Sequence, residues 1–322
     1  MILGWLYMDV SIVIPVYNSD AILMDLVARL YPVLVANYDL YELILVNDGS
    51  KDDSWGVICS LVEKYPWIRG INLMRNFGQH NALLCGIRLA RYEAIVTIDD
   101  DLQHPPEEIP NLTDKLNQGF DVVYGPPMHQ QHGLWRDLAS IITKTSLQAT
   151  VGVETARMAS AFRAFRAEVR NAFDDYRGSF VSLDVLLTWG TSRFTAVHVR
   201  HDPRRAGISN YTFLKLVHHA LNMITGFSTL PLQLASIIGL SFTFFGLMIL
   251  LYVIGNYFIH GGSVAGFTFL ASIIAIFSGV QLLMLGIFGE YLARIHFRSM
   301  DRPSCVIREI REPSEIGDRG EQ

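Results

Sequence analysis

Three consecutive carboxylates, Asp99-Asp100-Asp101, stand at the end of a short apolar run and lead into Leu102-Gln103-His104-Pro105-Pro106-Glu107. Three adjacent acids repel one another unless a cation neutralises them, and Asp99 and Asp101 are spaced so that both can turn toward one hard ion held by oxygen ligands. Gln103 adds a neutral polar ligand two residues further on. The chemistry this predicts is stabilisation of a leaving group. A sugar nucleotide departs as a diphosphate, and a bound Mg2+ or Mn2+ neutralises the charge that grows on it. Asp99, Asp101 and Gln103 are therefore the candidate catalytic and metal-binding residues.

Three further polar turns follow apolar runs. They are Pro15-Val16-Tyr17-Asn18, then Asn47-Asp48-Gly49-Ser50-Lys51-Asp52, then Arg75-Asn76-Phe77-Gly78-Gln79-His80. An isolated Asn-Asp-Gly-Ser is commonly a turn with a helix cap; beside three companions it reads as part of a ligand crevice. Asp48, with Pro15 and Tyr17, is expected to hold uracil and ribose. Asn18, Gly49, Asn76, Gly78 and Asp100 complete the candidate nucleotide-binding set.

The elements that must position these turns alternate. Segments 10–16, 42–46, 68–73, 94–98 and 122–124 are short, continuous and apolar, the pattern of strands buried on both faces. Between them, segments 21–34, 53–64, 79–90 and 107–118 place apolar residues three and four apart, as amphipathic helices do. Strands joined by crossover helices predict an α/β fold with a mostly parallel sheet, and such sheets bind ligands beyond the carboxyl ends of their strands. All four polar turns fall there.

Half of the 322 residues are hydrophobic, yet charged residues reach 18%. The two populations are segregated: residues 227–292 contain one formal charge, Glu290. Segments 230–259 and 264–292 each hold the ~20 apolar residues needed to cross a bilayer. The connection between them lacks Lys and Arg, whereas Lys215, Arg294, Arg298 and Arg302 flank the outer ends, so both termini are expected in the cytoplasm of a cytoplasmic-membrane protein. Residues 211–228 carry an apolar stripe suited to the membrane interface. The N-terminus lacks the basic and small-residue features of a signal peptide. The formal net charge of −5 gives no basis for a nucleic-acid partner. Cys59, Cys85 and Cys305 have no metal-type spacing and read as reduced structural thiols.

The four turns, together with Gly286-Ile287-Phe288-Gly289-Glu290-Tyr291-Leu292-Ala293-Arg294-Ile295, resemble family 2 glycosyltransferases of the GT-A fold. More narrowly, the chain resembles the polyprenyl-phosphate sugar transferases, the group of dolichyl-phosphate mannose synthase and the bacterial undecaprenyl-phosphate glucosyl and formamido-arabinose transferases. The resemblance implies a Rossmann-like catalytic domain over residues 1–210, the interfacial helix at 211–228, a two-helix transmembrane hairpin within 229–292 and a cytoplasmic tail at 293–322. It also implies a homo-oligomer, a tetramer among the options. Arg136 and Ser140 match the segment that meets the lipid phosphate; Arg204 and Ser209 match a loop over the two phosphates, and Arg163 joins that set.

The chain departs from the family pattern at several places. Asn210 stands where Lys is common, Ser19 where Glu is, and Gly125-Pro126-Pro127 where an Arg often follows the strand. Ala161 precedes Phe162-Arg163 where some relatives carry an Asp. The reaction implied is attack by polyprenyl phosphate on the anomeric carbon of a nucleotide sugar, with inversion. Glucose is the default sugar and an amino-arabinose derivative its nearest rival. A processive polysaccharide synthase would need more spans and a Gln-x-x-Arg-Trp element. A membrane-anchored nucleotide-sugar sensor would retain the binding turns alone, and a transporter would need intramembrane ionisable pairs.

Overall fold

The computed structural model describes residues 8–128, 158–178, 181–202, 230–260 and 266–313. Apolar β-branched runs build the centre of one sheet: β1 (Val10–Val16), β2 (Tyr41–Asn47), β3 (Ile68–Leu73) and β4 (Ala94–Thr97). They pair in parallel in the order β4-β1-β2-β3, with Val13 opposite both Ile44 and Thr97. Every residue of β1 is buried, as continuous apolar runs in a doubly covered sheet require.

The crossover helices are α1 (Asp20–Asn37), α2 (Ser54–Lys64), α3 (Gln79–Leu89) and α4 (Ile109–Asn117). α1 buries Leu23, Leu26, Val27, Leu30 and Leu34, the three-and-four spacing that marks one helical face. It runs past the expected 21–34 and through Pro32. α3 presses closely on the sheet at Gly86, where an added Cβ would lie 2.5 Å from Val13 Cγ1 and 2.9 Å from Val46 Cγ2.

The sheet is wider than the alternation predicts. Beside the expected β5 (Val122–Tyr124), β6 (Arg163–Arg166) and β7 (Phe194–Ala196) extend it beyond β4, and β6 runs antiparallel between β4 and β5. α5 (Leu183–Gly190) packs beside them. Two long apolar helices follow, α6 (Leu230–His260) and α7 (Phe267–Ser299), within which Pro231–Ile259 and Ile276–Phe297 are long and apolar enough to cross a membrane; among their described residues only Ala235 is buried. Phe242 and Phe277 meet edge-on between them at 5.6 Å.

The chain then returns to the sheet. β8 (Ile307–Arg311) pairs antiparallel with β3, setting Ile71 opposite Ile310. The tail at 293–322, in which the sequence of residues 305–310 reads as a segment able to add a strand, thus contributes one to the catalytic sheet. It covers an edge that would otherwise expose unpaired backbone groups.

Candidate active site

The parallel order brings the carboxyl ends of β1, β2, β3 and β4 to one edge of the sheet, and their turns interlock there through polar side chains. Asp48 is the hub of the donor-side turns. It is 3% exposed; its Oδ1 accepts the Phe77 N–H at 2.7 Å and its Oδ2 the Gly78 N–H at 2.8 Å. Asn76 Nδ2 donates to the Asp48 carbonyl at 3.0 Å. Burial pushes the Asp48 carboxyl above its ordinary value, and the two amides and the charge of Arg75 oppose that rise. The observed work of Asp48 is thus to fasten the Arg75–Gly78 turn.

Gly49 follows with φ +65°, and a Cβ there would sit 2.5 Å from Asn76 N and 2.6 Å from Arg75 C. No other residue type fits both the backbone and the space. Arg75 lays its guanidinium over the Phe77 ring at 4.4 Å, which orders the outer face of that turn.

The turn after β1 is held from two sides. Asn18 has φ +54°, its Oδ1 accepts the Lys51 N–H at 2.8 Å, and its own N–H donates to Ser50 Oγ at 3.1 Å. On the other side Ser19 Oγ donates to Asp100 Oδ2 at 2.5 Å, and the Tyr17 N–H donates to the same carboxylate. Burial raises the Asp100 carboxyl against the pull of those donors. Tyr17 is 44% exposed and open to the crevice, whereas Pro15 is buried inside β1 opposite Val46. Pro15 therefore supports Tyr17 and does not itself reach the crevice.

The acidic turn is built on strain. Leu102 is 1% exposed with φ +58°, a left-handed conformation costly for a bulky side chain and characteristic of constrained functional turns. It lets Asp101 Oδ1 accept the Gln103 N–H at 3.1 Å. Asp99 Oδ1 accepts from Gln79 Nε2 at 2.7 Å, tying the start of α3 to the end of β4. His104 packs against Phe162 at 5.4 Å and edge-on against His201 at 5.1 Å. Burial, with His201 beside it, pushes the His104 imidazole down to about 4.

As a cation site the turn offers hard oxygen donors, the set that suits Mg2+ or Mn2+. Among the described residues no three His, Cys, Asp or Glu side chains converge as a closed metal cage. Asp99, Asp101 and the Gln103 amide fit an ion that takes its remaining ligands from substrate phosphates and water, the usual partition for Mg2+.

The acceptor-side expectations divide. Arg136, Ser140, Arg204 and Ser209 lie outside the described residues, as does the 211–228 helix. Arg163 is a correction: it is 1% exposed in β6, with Nη1 donating to Asp184 at 2.6 Å and Nε to the Ala161 carbonyl at 3.4 Å. A guanidinium shut away and paired with a carboxylate packs β6 on α5 and is not offered to a lipid phosphate. Sequence reasoning gave no hydrogen-bonding role to Gln79, inside the turn after β3, or to Ser19, which directly follows the turn after β1; each is a direct hydrogen-bond partner of the acidic triplet.

An open, mostly parallel sheet whose carboxyl edge carries an acidic turn and a glycine-dependent donor turn is the architecture of a GT-A glycosyltransferase. The family model described as glycosyl transferase family 2 matches residues 11–173, and the chain belongs to that family. It is a glycosyltransferase enzyme. A relative from Shewanella sediminis, named undecaprenyl-phosphate 4-deoxy-4-formamido-L-arabinose transferase, is 37% identical over 307 residues, covering 94% of this chain and 92% of its own length. Relatives of the same name from Pseudomonas aeruginosa and Klebsiella pneumoniae are 33% and 32% identical, each over 94% of this chain and over 90% and 94% of their own lengths.

Among solved structures, glucosyl-3-phosphoglycerate synthase from Mycobacterium tuberculosis, in complex with Mn2+, UDP-glucose and phosphoglyceric acid, superposes with a TM-score of 0.52. It is 18% identical and covers 68% of this chain and 78% of its own, so the likeness is one of fold.

Proposed function

We propose that the chain transfers a sugar, with inversion at the anomeric carbon, from a UDP-sugar to the phosphate of a polyprenyl phosphate, undecaprenyl phosphate above all, at the cytoplasmic face of a membrane. The observation that carries this reading is the union, in one chain, of the interlocked turns at the sheet edge with two membrane-length apolar helices, in a sequence 37% identical to a transferase named for that acceptor.

Asp99, Asp101 and Gln103 would hold Mg2+ or Mn2+. Such an ion, when bound, supplies the positive charge that a departing diphosphate needs. Tyr17 and the Gly49 and Asn76 turns would receive the nucleoside, with Asp48, Asn18 and Asp100 keeping those turns in place. Gln79 holds Asp99. The attacking oxygen requires no strong base, because a phosphate monoester has its second pKa at ~6 and is largely dianionic at neutral pH. Ala161, standing where some relatives carry an acid, is compatible with that economy. Positioning and charge stabilisation then carry the step, and no covalent enzyme intermediate forms.

Arg136, Ser140, Arg204 and Ser209 are assigned to the phosphates of acceptor and donor, and residues 211–228 to the membrane interface. The Lys and Arg asymmetry about the hairpin supports a cytoplasmic catalytic domain and cytoplasmic termini. The relatives' names favour 4-deoxy-4-formamido-L-arabinose over glucose as the sugar moved. The enzyme is assigned a homo-oligomeric state, since one hairpin leaves much helix surface for a second copy. Purified protein incubated with labelled UDP-sugars and undecaprenyl phosphate should place label in the organic phase, with the lipid product's mass identifying the sugar. Label retained on the protein without lipid product would overturn the transferase reading.

A further inference from the structure

Two thiols that the sequence keeps far apart meet in the fold, outside the crevice just described. Cys85 lies in α3, 2% exposed, within the apolar layer on one face of the sheet, and Cys305, on the segment between α7 and β8, packs into the same layer. Arg88, one turn along α3 from Cys85, donates to Oγ of Ser304, the residue before Cys305, at 3.0 Å, and each thiol perturbs the other's titration. Neither is in a disulfide. Cys305 is half-buried and lines an open cleft of about 590 Å3 shared with Arg88, Arg177, Asp301 and Ser304. Small polar oxidants therefore reach Cys305 while Cys85 stays behind it.

We propose that Cys85 and Cys305 form a redox-active thiol pair whose oxidation staples the segment leaving the second membrane-length helix to α3.

The surroundings differentiate the two sulfurs. Cys85, with the Arg88 guanidinium and the Ser304 hydroxyl, pushes the Cys305 thiol down against its burial, whereas Cys305 and burial push Cys85 up. Cys305 is thus the attacking thiolate and Cys85 the resolving thiol. With hydrogen peroxide as oxidant, Cys305 Sγ attacks one oxygen, the O–O bond breaks, and hydroxide leaves to become water after protonation. The product is a sulfenic acid. Cys85 Sγ then attacks Cys305 Sγ, the S–O bond breaks, and a second water leaves with the Cys85 proton. Two thiols and one peroxide give one disulfide and two waters.

The staple would join two parts that already touch. Arg88 Nη1 donates to Ser304 Oγ at 3.0 Å, Arg177 pairs with Asp301 at 2.9 Å, and the Met74 N–H donates to the Val306 carbonyl at 2.9 Å. α3 also begins at Gln79, the partner of Asp99, so the bond would tie the exit of α7 to the element that holds an acid of the crevice. A thiol pair of this kind in a reducing compartment behaves as a transient, redox-responsive bond.

Full-length protein in detergent, treated with hydrogen peroxide, should lose the mass of two hydrogens and yield one linked Cys85–Cys305 peptide, both reversed by dithiothreitol. Its thermal midpoint should rise on oxidation. Cys305→Ser and Cys85→Ser should each abolish the linked peptide, while Cys59→Ser leaves it. A wild-type digest with Cys305 carried to sulfinic acid and Cys85 still free, or with Cys59 as the linked partner, would overturn the proposal. So would an unchanged mass at peroxide levels that oxidise exposed methionine. The wild-type digest decides the matter even if Cys85→Ser folds poorly.

Discussion

Replacing Glu42 by Gln separates the part of the sheet that holds the fold from the part that does the chemistry. Glu42 is 4% exposed at the start of β2, where it accepts from Ser11 Oγ at 2.7 Å, Arg69 Nη1 at 3.0 Å and the Arg91 N–H at 2.7 Å. Arg69 is 6% exposed and passes the chain of contacts to Glu312, beyond β8, at 3.0 Å. One network therefore clamps the amino ends of β1, β2 and β3 together with the returning strand, at the edge opposite the crevice. Removing the anion leaves a buried guanidinium with only the half-exposed Glu312 and the Leu89 carbonyl. Loss of one member of a buried pair typically costs ~3–5 kcal/mol. At ~2–4 °C per kcal/mol for a domain of this size, the thermal midpoint in detergent should fall by ~6–20 °C. Hydrogen exchange should rise in peptides covering β2, β3 and β8. At a temperature where the variant is folded, its donor KM should stay within twofold of wild type. Adding Arg69→Met should restore much of the loss, because a paired removal no longer strands a charge. A midpoint shift under ~2 °C, or a double variant that loses the sum of the two single losses, would refute the reasoning.

Asp101→Asn should abolish divalent-cation-dependent transfer while leaving the thermal midpoint within a few degrees; full turnover in that variant would remove Asp101 from the cation site. Gly49→Ala must adopt φ +65° and displace backbone at 2.5 Å, so the Arg75–Gly78 turn should shift, with donor KM raised at least tenfold and stability lowered by ~1–3 kcal/mol in a denaturant titration. His104 is 9% exposed, and burial holds its imidazole at about 4, below the ordinary value of 6.5. Protons therefore bind the unfolded chain first, and stability should fall by up to ~3 kcal/mol as pH drops from 6.5 toward 4, a slope that His104→Phe should flatten. A pH-stability curve identical in that variant would assign the acid sensitivity elsewhere.

What was legible in the chain follows from the range over which each force acts. β1 and β3 have the limits expected from their apolar runs, because a strand buried on both faces must be continuously apolar and its flanking turns polar. β6 and β7 carried no such signal. They are four and three residues long, and β6 begins and ends with Arg163 and Arg166, whose charges are met by Asp184 and Asp121 only in three dimensions. β8 is an edge strand whose apolar Ile307 and Ile310 are interspersed with charged residues, so its pairing with β3 was visible only as a possible strand and not as a partner. The same limit applies at the crevice. The acid, glycine and asparagine types in its turns are local facts, but the links that order them span the chain: Ser19 to Asp100, Gln79 to Asp99, Asp48 to the Phe77 and Gly78 amides. Arg163 shows the converse error, since a cation beside a family motif looks available until its buried partner is known.

These cross-chain links give the site a division of labour. Of the acidic triplet, Asp100 is turned back to hold the β1 turn through Ser19 and Tyr17, while Asp99 is steadied from α3 and Asp101 by its own left-handed turn. The middle carboxylate thus organises protein, and the two that flank it remain the acids able to meet a cation. Three adjacent acids then need no shared ion to explain all of their charge: one is engaged by hydroxyl and amide donors, and under the proposed function a Mg2+ or Mn2+ ion would draw on the flanking pair.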